Sequence, residues 1–162
     1  MLRIDVRELA AGPVETRGEL SPDDPALEGL DVRLGAPVAV QGRLQAIGAE
    51  RFFWQGSLRT VVEGECRRCL TPLRAPIQAE ISALFSTDPE ALDDPDAYAV
   101  APEATAVDLA PAVREELLLS VPRFIVCSED CRGLCPHCGT NLNTGLCACA
   151  PAVDPRWQGL RS

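Results

Sequence analysis

Eight of the 162 residues are cysteines, and their spacing is the main chemistry this chain offers. They run Cys66-x2-Cys69, then Cys127-x3-Cys131-x3-Cys135-x2-Cys138-x8-Cys147-x-Cys149. Two residues between cysteines let both sulfurs face one ion from a tight turn. The glycine after Cys135-Pro-His-Cys138 permits the backbone angles that turn amides toward sulfur. A closed tetrahedral site needs four ligands. Cys135, Cys138, Cys147 and Cys149 supply one from local sequence, around the turn residues Asn141 to Gly145. Cys66, Cys69, Cys127 and Cys131 then make a second, with Cys131 and Cys135 able to exchange places. In such sites the free energy of metal binding becomes free energy of folding. Two zinc ions are the expected occupants, and iron suits the same thiolates.

Other readings of these residues are weaker. Disulfides are rare in a reducing compartment. A redox pair at Cys66 and Cys69 lacks the helix N-terminus that depresses a thiolate pKa. His137 sits between two ligating cysteines, where side chains point outward. Asp93, Asp94 and Asp96 lack the glycine and closing glutamate of a calcium loop and read as solvated acids. Phe52 and Trp54 fit packing better than base stacking. Arg67 and Arg68, between ligands at a hairpin tip, are placed as phosphate-contacting residues are in zinc modules.

Composition narrows the classes further. The 15 basic residues are all arginine, so Schiff-base chemistry and a lysine-bearing phosphate loop are excluded, and any Ser-His-Asp triad must use the one histidine, His137. The formal charge is −9, and it is uneven: residues 81–119 carry one arginine against nine acids, while both ends are near neutral. That balance disfavours an all-over basic nucleic-acid binder and suits a basic partner or simple solubility. Four thiolates around a divalent ion add −2, so two such sites take the formal −9 to −13. MLRIDVRELA at the start has no apolar run of a signal peptide, and no apolar stretch approaches the ~20 residues of a membrane span, so a cytoplasmic location is expected.

The elements that position the cysteines follow from hydrophobic period. Residues 2–9 alternate and predict a strand; 11–29 are rich in Gly, Pro and acids and predict a loop. Val38, Val40, Leu44 and Ala46 face one way, and Phe52, Trp54, Leu58, Thr60 and Val62 continue the two-residue period after a turn at Gly48 to Glu50. Together they predict a hairpin with one buried face. Ile77, Ala79, Ile81, Ala83 and Phe85 predict a third strand, which starts near 77 or lies on an edge because Pro76 has no ladder donor. Cys66 and Cys69 thus lie at a hairpin tip. Residues 86–107 read as an acidic loop. A helix is expected over 108–121, capped by Asp108, with Pro111 in its first turn, Leu109, Val113 and Leu117 on its apolar face, and Pro122 ending it. The fold class is α+β: a small antiparallel β-sheet, one helix and a C-terminal zinc-ribbon-like segment. The expected division is a β-rich domain, 1–122, and a Cys-rich metal-binding segment, 123–162, packed back on it.

Several motifs taken together resemble the YceD family of large ribosomal RNA subunit accumulation proteins. They are Cys66-Arg-Arg-Cys-Leu70, Asp108-Leu-Ala-Pro-Ala-Val-Arg-Glu-Glu-Leu-Leu-Leu-Ser-Val-Pro122, Cys127-x3-Cys131-Arg-Gly-Leu-Cys-Pro-x-Cys-Gly139, Asn141-Leu-Asn143, Cys147-x-Cys149 and Asp154-Pro-Arg156. The resemblance runs from about residue 30 to the C-terminus. It implies a non-enzymatic ribosome-biogenesis factor supporting large-subunit ribosomal RNA accumulation or processing, with no catalytic residue to carry over. Its partners would be that RNA, a basic large-subunit ribosomal protein, or both, without membrane or small-molecule substrate. Arg67, Arg68, Arg132 and Arg156 are the candidate RNA or partner contacts. The competing classes are a zinc-ribbon module acting directly on RNA and a rubredoxin-like redox protein.

Overall fold

The computed structural model describes residues 2–48, 50–88 and 97–149. Contacts group the chain into two compact units, Met1–Gly64 with Arg74–Arg123, and Glu65–Leu73 with Phe124–Ser162. The first unit is built on a six-stranded sheet. Its order is β2 (Val14–Leu20), β4 (Val38–Ala46), β5 (Arg51–Glu65), β6 (Pro72–Ser86) and β7 (Ala97–Ala99), with β3 (Arg33–Leu34) also paired to β5. Neighbours β2–β4, β3–β5 and β4–β5 are antiparallel, while β7 joins β6 in parallel with Leu84 opposite Ala97. A separate antiparallel pair joins β1 (Arg3–Asp5) to β8 (Ala106–Asp108). The α-helix among the described residues, α1, spans Ala110–Ser120. The α+β class expected from sequence is the one observed.

The buried face follows the period read from sequence. Val38, Val40 and Leu44 on β4, Phe52, Trp54, Leu58, Thr60 and Val62 on β5, and Ile77 to Phe85 at alternate positions on β6 are all buried. So are Leu109, Val113 and Leu117 at the helix, while Ala46 at the strand end is exposed. Trp54 is the largest wholly buried side chain, and its Nε1 donates to Thr16 Oγ1 at 2.9 Å. Gly42 and Gly56 face each other across β4 and β5, and a Cβ on either would come within 2.8 Å of the indole. The ring occupies the notch those two glycines leave. Tyr98 on β7 stacks on Phe85 and donates its hydroxyl to Glu115 on α1. Arg114 ties the helix to the Ala26 and Glu28 carbonyls.

Four local expectations are corrected. The strand expected over 2–9 stops at Asp5, whose side chain accepts from the Arg7 N–H and starts a 3-10 turn over Val6–Ala11, which buries Leu9. A short acidic side chain has outcompeted the ladder for the backbone donor. Residues expected as loop contain strand β2. Its core-facing positions include Thr16 and Gly18, so few apolar residues mark the period, and the Trp54 hydrogen bond satisfies the buried hydroxyl. Of the two alternatives for the third strand, a start near 77 is replaced by a start at Pro72, and β6 runs through Pro76 where no β7 residue pairs with it. Strand β7 pairs only with Leu84–Ser86, so a missing N–H on that side of Pro76 forfeits no β7 bond. The segment expected as one acidic loop over 86–107 includes β7 and most of β8; Asp93, Asp94 and Asp96 lie outside the described residues. The helix spans 110–120 within the expected 108–121; its N-cap position is Leu109, and Asp108, the expected cap, stands one residue before it and accepts from the Ala110 N–H through Oδ1.

Candidate metal centres

The second unit brings the eight cysteines together in two groups of four. Cys66, Cys69, Cys127 and Cys131 have ligand atoms all within 4.8 Å of one another, and so do Cys135, Cys138, Cys147 and Cys149. This is the partition that spacing favoured, with Cys131 and Cys135 not exchanged.

Each group grows from one tight turn. In the first, Leu70 N–H donates to the Cys66 carbonyl at 2.8 Å and Cys66 N–H to the Thr71 carbonyl at 2.9 Å. In the second, Gly139 N–H donates to the Cys135 carbonyl at 2.9 Å and Cys135 N–H to the Thr140 carbonyl at 2.8 Å. The threonine hydroxyls also correspond, each 3.2 Å from a sulfur, Thr71 from Cys69 and Thr140 from Cys138. The turns share the sequence Cys-x-x-Cys-x-Thr. Both place the residue after the second cysteine in left-handed backbone, φ +73° at Gly139 and +57° at Leu70. Glycine takes that conformation freely; for a side chain with Cβ it costs about 1–2 kcal/mol.

The remaining ligands arrive by different routes. Arg67 N–H donates to the Ile125 carbonyl, and Cys127 N–H to Cys66 Sγ at 3.4 Å, which brings the segment from Phe124 against the first turn. Arg68 Nη1 holds the Glu129 and Cys131 carbonyls at 2.7 and 3.2 Å. The second group is local: an isolated bridge pairs Leu134 with Asn141, and Gly133 accepts from Leu142 N–H. Asn141 and Asn143 connect the two groups. Asn143 Nδ2 donates to Cys131 Sγ at 3.3 Å and to Asn141 Oδ1 at 2.9 Å, while Asn141 Nδ2 reaches Thr71 Oγ1 at 3.3 Å.

The donor set fits a tetrahedral ion. Metal–sulfur bonds of about 2.3 Å imply sulfur–sulfur edges of about 3.8 Å. Cys66 Sγ lies 3.8 Å from Cys131 Sγ, and Cys69 Sγ 3.6 Å from Cys127 Sγ. Those gaps are nearly twice a disulfide bond of about 2.05 Å, and all eight cysteines are free.

Electrostatics point the same way. Burial pushes the Cys66 thiol up, but backbone N–H groups of Cys127, Cys69 and Arg68 aimed at its sulfur bring it down to about 6. The Thr140 hydroxyl and N–H bring Cys138 to about 6, and Thr71 lowers Cys69. Neighbouring thiols do the reverse. Cys131 and Cys69 push Cys127 up to about 12, and Cys138 pushes Cys149 up to about 12. In each group the first proton leaves readily and the last is retained unless a cation neutralises the cluster.

The groups differ in shelter. In the first, Cys66, Cys69 and Cys131 are at most 6% exposed and Leu73 and Leu134 pack against them, leaving Cys127 exposed. In the second only Cys135 is buried; Cys138 and Cys149 are exposed and Cys147 is intermediate.

Other residues singled out from sequence fall in different places. His137 is exposed and belongs to neither group. Arg67, Arg68 and Arg132 are exposed. The Arg68 guanidinium is engaged with backbone carbonyls, whereas Arg67 lies over the Phe124 ring, 5.1 Å from its centroid. Arg156 lies outside the described residues. Sequence reasoning missed Thr71, Thr140 and Asn143 as partners of sulfur. The repeated Cys-x-x-Cys-x-Thr was a usable signal for the threonines; nothing local marked Asn143 as a donor to a residue twelve positions earlier.

A β-rich α+β chain with two four-cysteine groups in one compact unit defines a class: proteins with paired four-thiol clusters, each able to take a metal ion. The chain belongs to the YceD family. The model that matches it over residues 54–162 is described as large ribosomal RNA subunit accumulation protein YceD. An uncharacterized protein of Mycobacterium tuberculosis is 31% identical over 144 residues, covering 86% of this chain and 68% of the relative. A Zea mays protein named large ribosomal RNA subunit accumulation protein YCED homolog 1, chloroplastic, is 28% identical over 174 residues, covering 88% of this chain and 54% of the relative. An uncharacterized protein of Bacillus subtilis is 33% identical over 117 residues, 67% of this chain and 63% of its own length. No solved structure matches the chain. No helix among the described residues is long and apolar enough to cross a membrane.

Proposed function

We propose that this chain supports the accumulation of large-subunit ribosomal RNA as a non-enzymatic factor whose second unit is held in shape by two metal ions. The observation that carries the reading is the pair of four-sulfur groups within a chain of this family. The eight cysteines act as ligands, four to an ion, and zinc is the expected metal because closed four-thiolate sites most often hold it. A bound ion there supplies folding free energy and fixes the turns; Asn143, Thr71 and Thr140 orient and stabilise the thiolates around it. The sulfurs are fully committed, which leaves no free nucleophile and agrees with a binding role. The partners are large-subunit ribosomal RNA, a basic large-subunit ribosomal protein, or both, and the site of action is the cytoplasm. The acidic excess in residues 81–119 suits the protein partner.

Depleting the protein from its own cells should lower large-subunit ribosomal RNA relative to small-subunit RNA, and re-expression should restore the ratio. An unchanged ratio would refute the reading. Elemental analysis should return two zinc ions per chain. A coloured iron protein with reversible one-electron titration would replace this account with a rubredoxin-like one.

A further inference from the structure

Phe124 is 71% exposed, the one phenylalanine, tyrosine or tryptophan among the described residues that presents its ring to solvent; Phe52, Phe85 and Trp54 are buried and Phe53 and Tyr98 are partly so. The chain just after it is anchored to the first turn. Ile125 accepts from Arg67 N–H, and Cys127 is a sulfur of the first group. The Arg67 guanidinium lies over the ring at 5.1 Å, yet most of the ring surface remains open. A second observation concerns the same turn. Leu70 holds the left-handed position that glycine holds in the twin turn, and its side chain is 55% exposed. A strained, exposed apolar residue with a less strained alternative in the same molecule is a mark of a functional surface.

We infer that Phe124 and Arg67 form a stacking platform for an unpaired nucleobase of single-stranded RNA. A base can lie on the open ring face or extend the guanidinium–ring stack, because aromatic and guanidinium planes both accept bases. Charge opposes phosphate less here than on the rest of the chain: among the described residues the second unit has 3 arginines against 3 acids, and the first has 10 against 16. Metal-loaded thiolate groups then add negative charge to the second unit, so broad attraction to phosphate is weak and stacking supplies the binding. The inference rests on the ribosomal-RNA reading proposed above and names the surface that makes the contact.

The test is binding of a labelled single-stranded RNA decamer to the metal-loaded full-length chain, by fluorescence anisotropy. Phe124→Ala should weaken binding about 5- to 150-fold, the range for losing one stacked base. Phe124→Trp should stay within about threefold of wild type, and Phe124→Leu should behave like alanine. The ring is exposed, so all three should keep two metal ions per chain. Unchanged affinity in Phe124→Ala, full affinity in Phe124→Leu, or no binding of the decamer by wild type would each overturn the platform, the last pointing to a protein partner. Expression of each form in depleted cells separates the two claims. If wild type restores the RNA ratio and Phe124→Ala does so equally, the platform falls and the functional reading stands. If wild type does not restore it, the functional reading itself fails.

Discussion

The turns at Cys66–Thr71 and Cys135–Thr140 share their backbone hydrogen bonds and their threonine–sulfur contacts, yet their surroundings differ. The first is sheltered by Leu73 and Leu134, receives Asn143 on Cys131, and carries Arg-Arg between its cysteines and a strained Leu70 after them. The second carries Pro-His and a relaxed Gly139, and two of its four sulfurs are exposed. The same local geometry therefore serves two purposes. The Cys-x-x-Cys-x-Thr sequence forms the same turn in both places, while what lies around it sets how sheltered the sulfurs are and what faces outward. The first turn fastens distant chain segments and displays a surface; the second closes on itself.

The largest effect expected from this contrast is in ligand removal. Cys131→Ser should empty the first group, leave one metal per chain, and make the second unit protease-sensitive, with a loss of several kcal/mol. Cys149→Ser should also leave one metal yet keep Phe124–Cys131 protected against cleavage. Equal sensitivity in the two variants would erase the distinction. Next, Asn143→Ala should lower metal affinity at the first group about 10- to 100-fold, as removal of partners to ligands commonly does, without changing the second. Competition with a colorimetric chelator reads both groups, and the exposed second group should release its ion first in wild type.

Smaller effects test the backbone and the protons. Gly139→Leu should destabilise by about 1–2 kcal/mol in denaturant titration, whereas Leu70→Gly should be neutral or stabilising within about 1 kcal/mol. In the metal-free chain the thiols of Cys66 and Cys138, near 6 when folded against 9 ordinarily, stabilise the fold above pH 9, and that contribution fades as pH falls from 9 to 6. Cys127 and Cys149, near 12, act in the opposite sense: their contribution is present below pH 9 and is lost between 9 and 12. For metal binding, each group must give up one more proton below pH 6 than above it, so the logarithm of affinity should fall more steeply with pH there. A constant slope from pH 5 to 8 would contradict the lowered thiols.

Much of this was legible in residue types and spacing because the determinants were local or periodic. Thiols two apart can share an ion wherever the turn sits, and strict alternation identifies the buried faces of β4, β5 and β6. What escaped depended on tertiary partners. Thr16 counts as polar until Trp54 supplies its hydrogen bond, so β2 hid inside an apparent loop. Asp5 diverts a donor that alternation assigns to a strand. Arg68 looks identical to Arg67 in sequence, and only the positions of Glu129 and Cys131 turn it into a structural brace while its neighbour lies on Phe124.

The first group also sets a schedule for synthesis. The ligands of the second group span 14 residues, from Cys135 to Cys149, and those of the first span 65. Closing the longer span costs about 1.4 kcal/mol more in chain entropy. Translation at roughly 5–20 residues per second leaves Cys66 and Cys69 waiting about 3–12 s for Cys131 to be made. For that interval a nascent chain of this protein carries a two-sulfur claw, open to any soft metal ion or oxidant that reaches it before its own partners arrive.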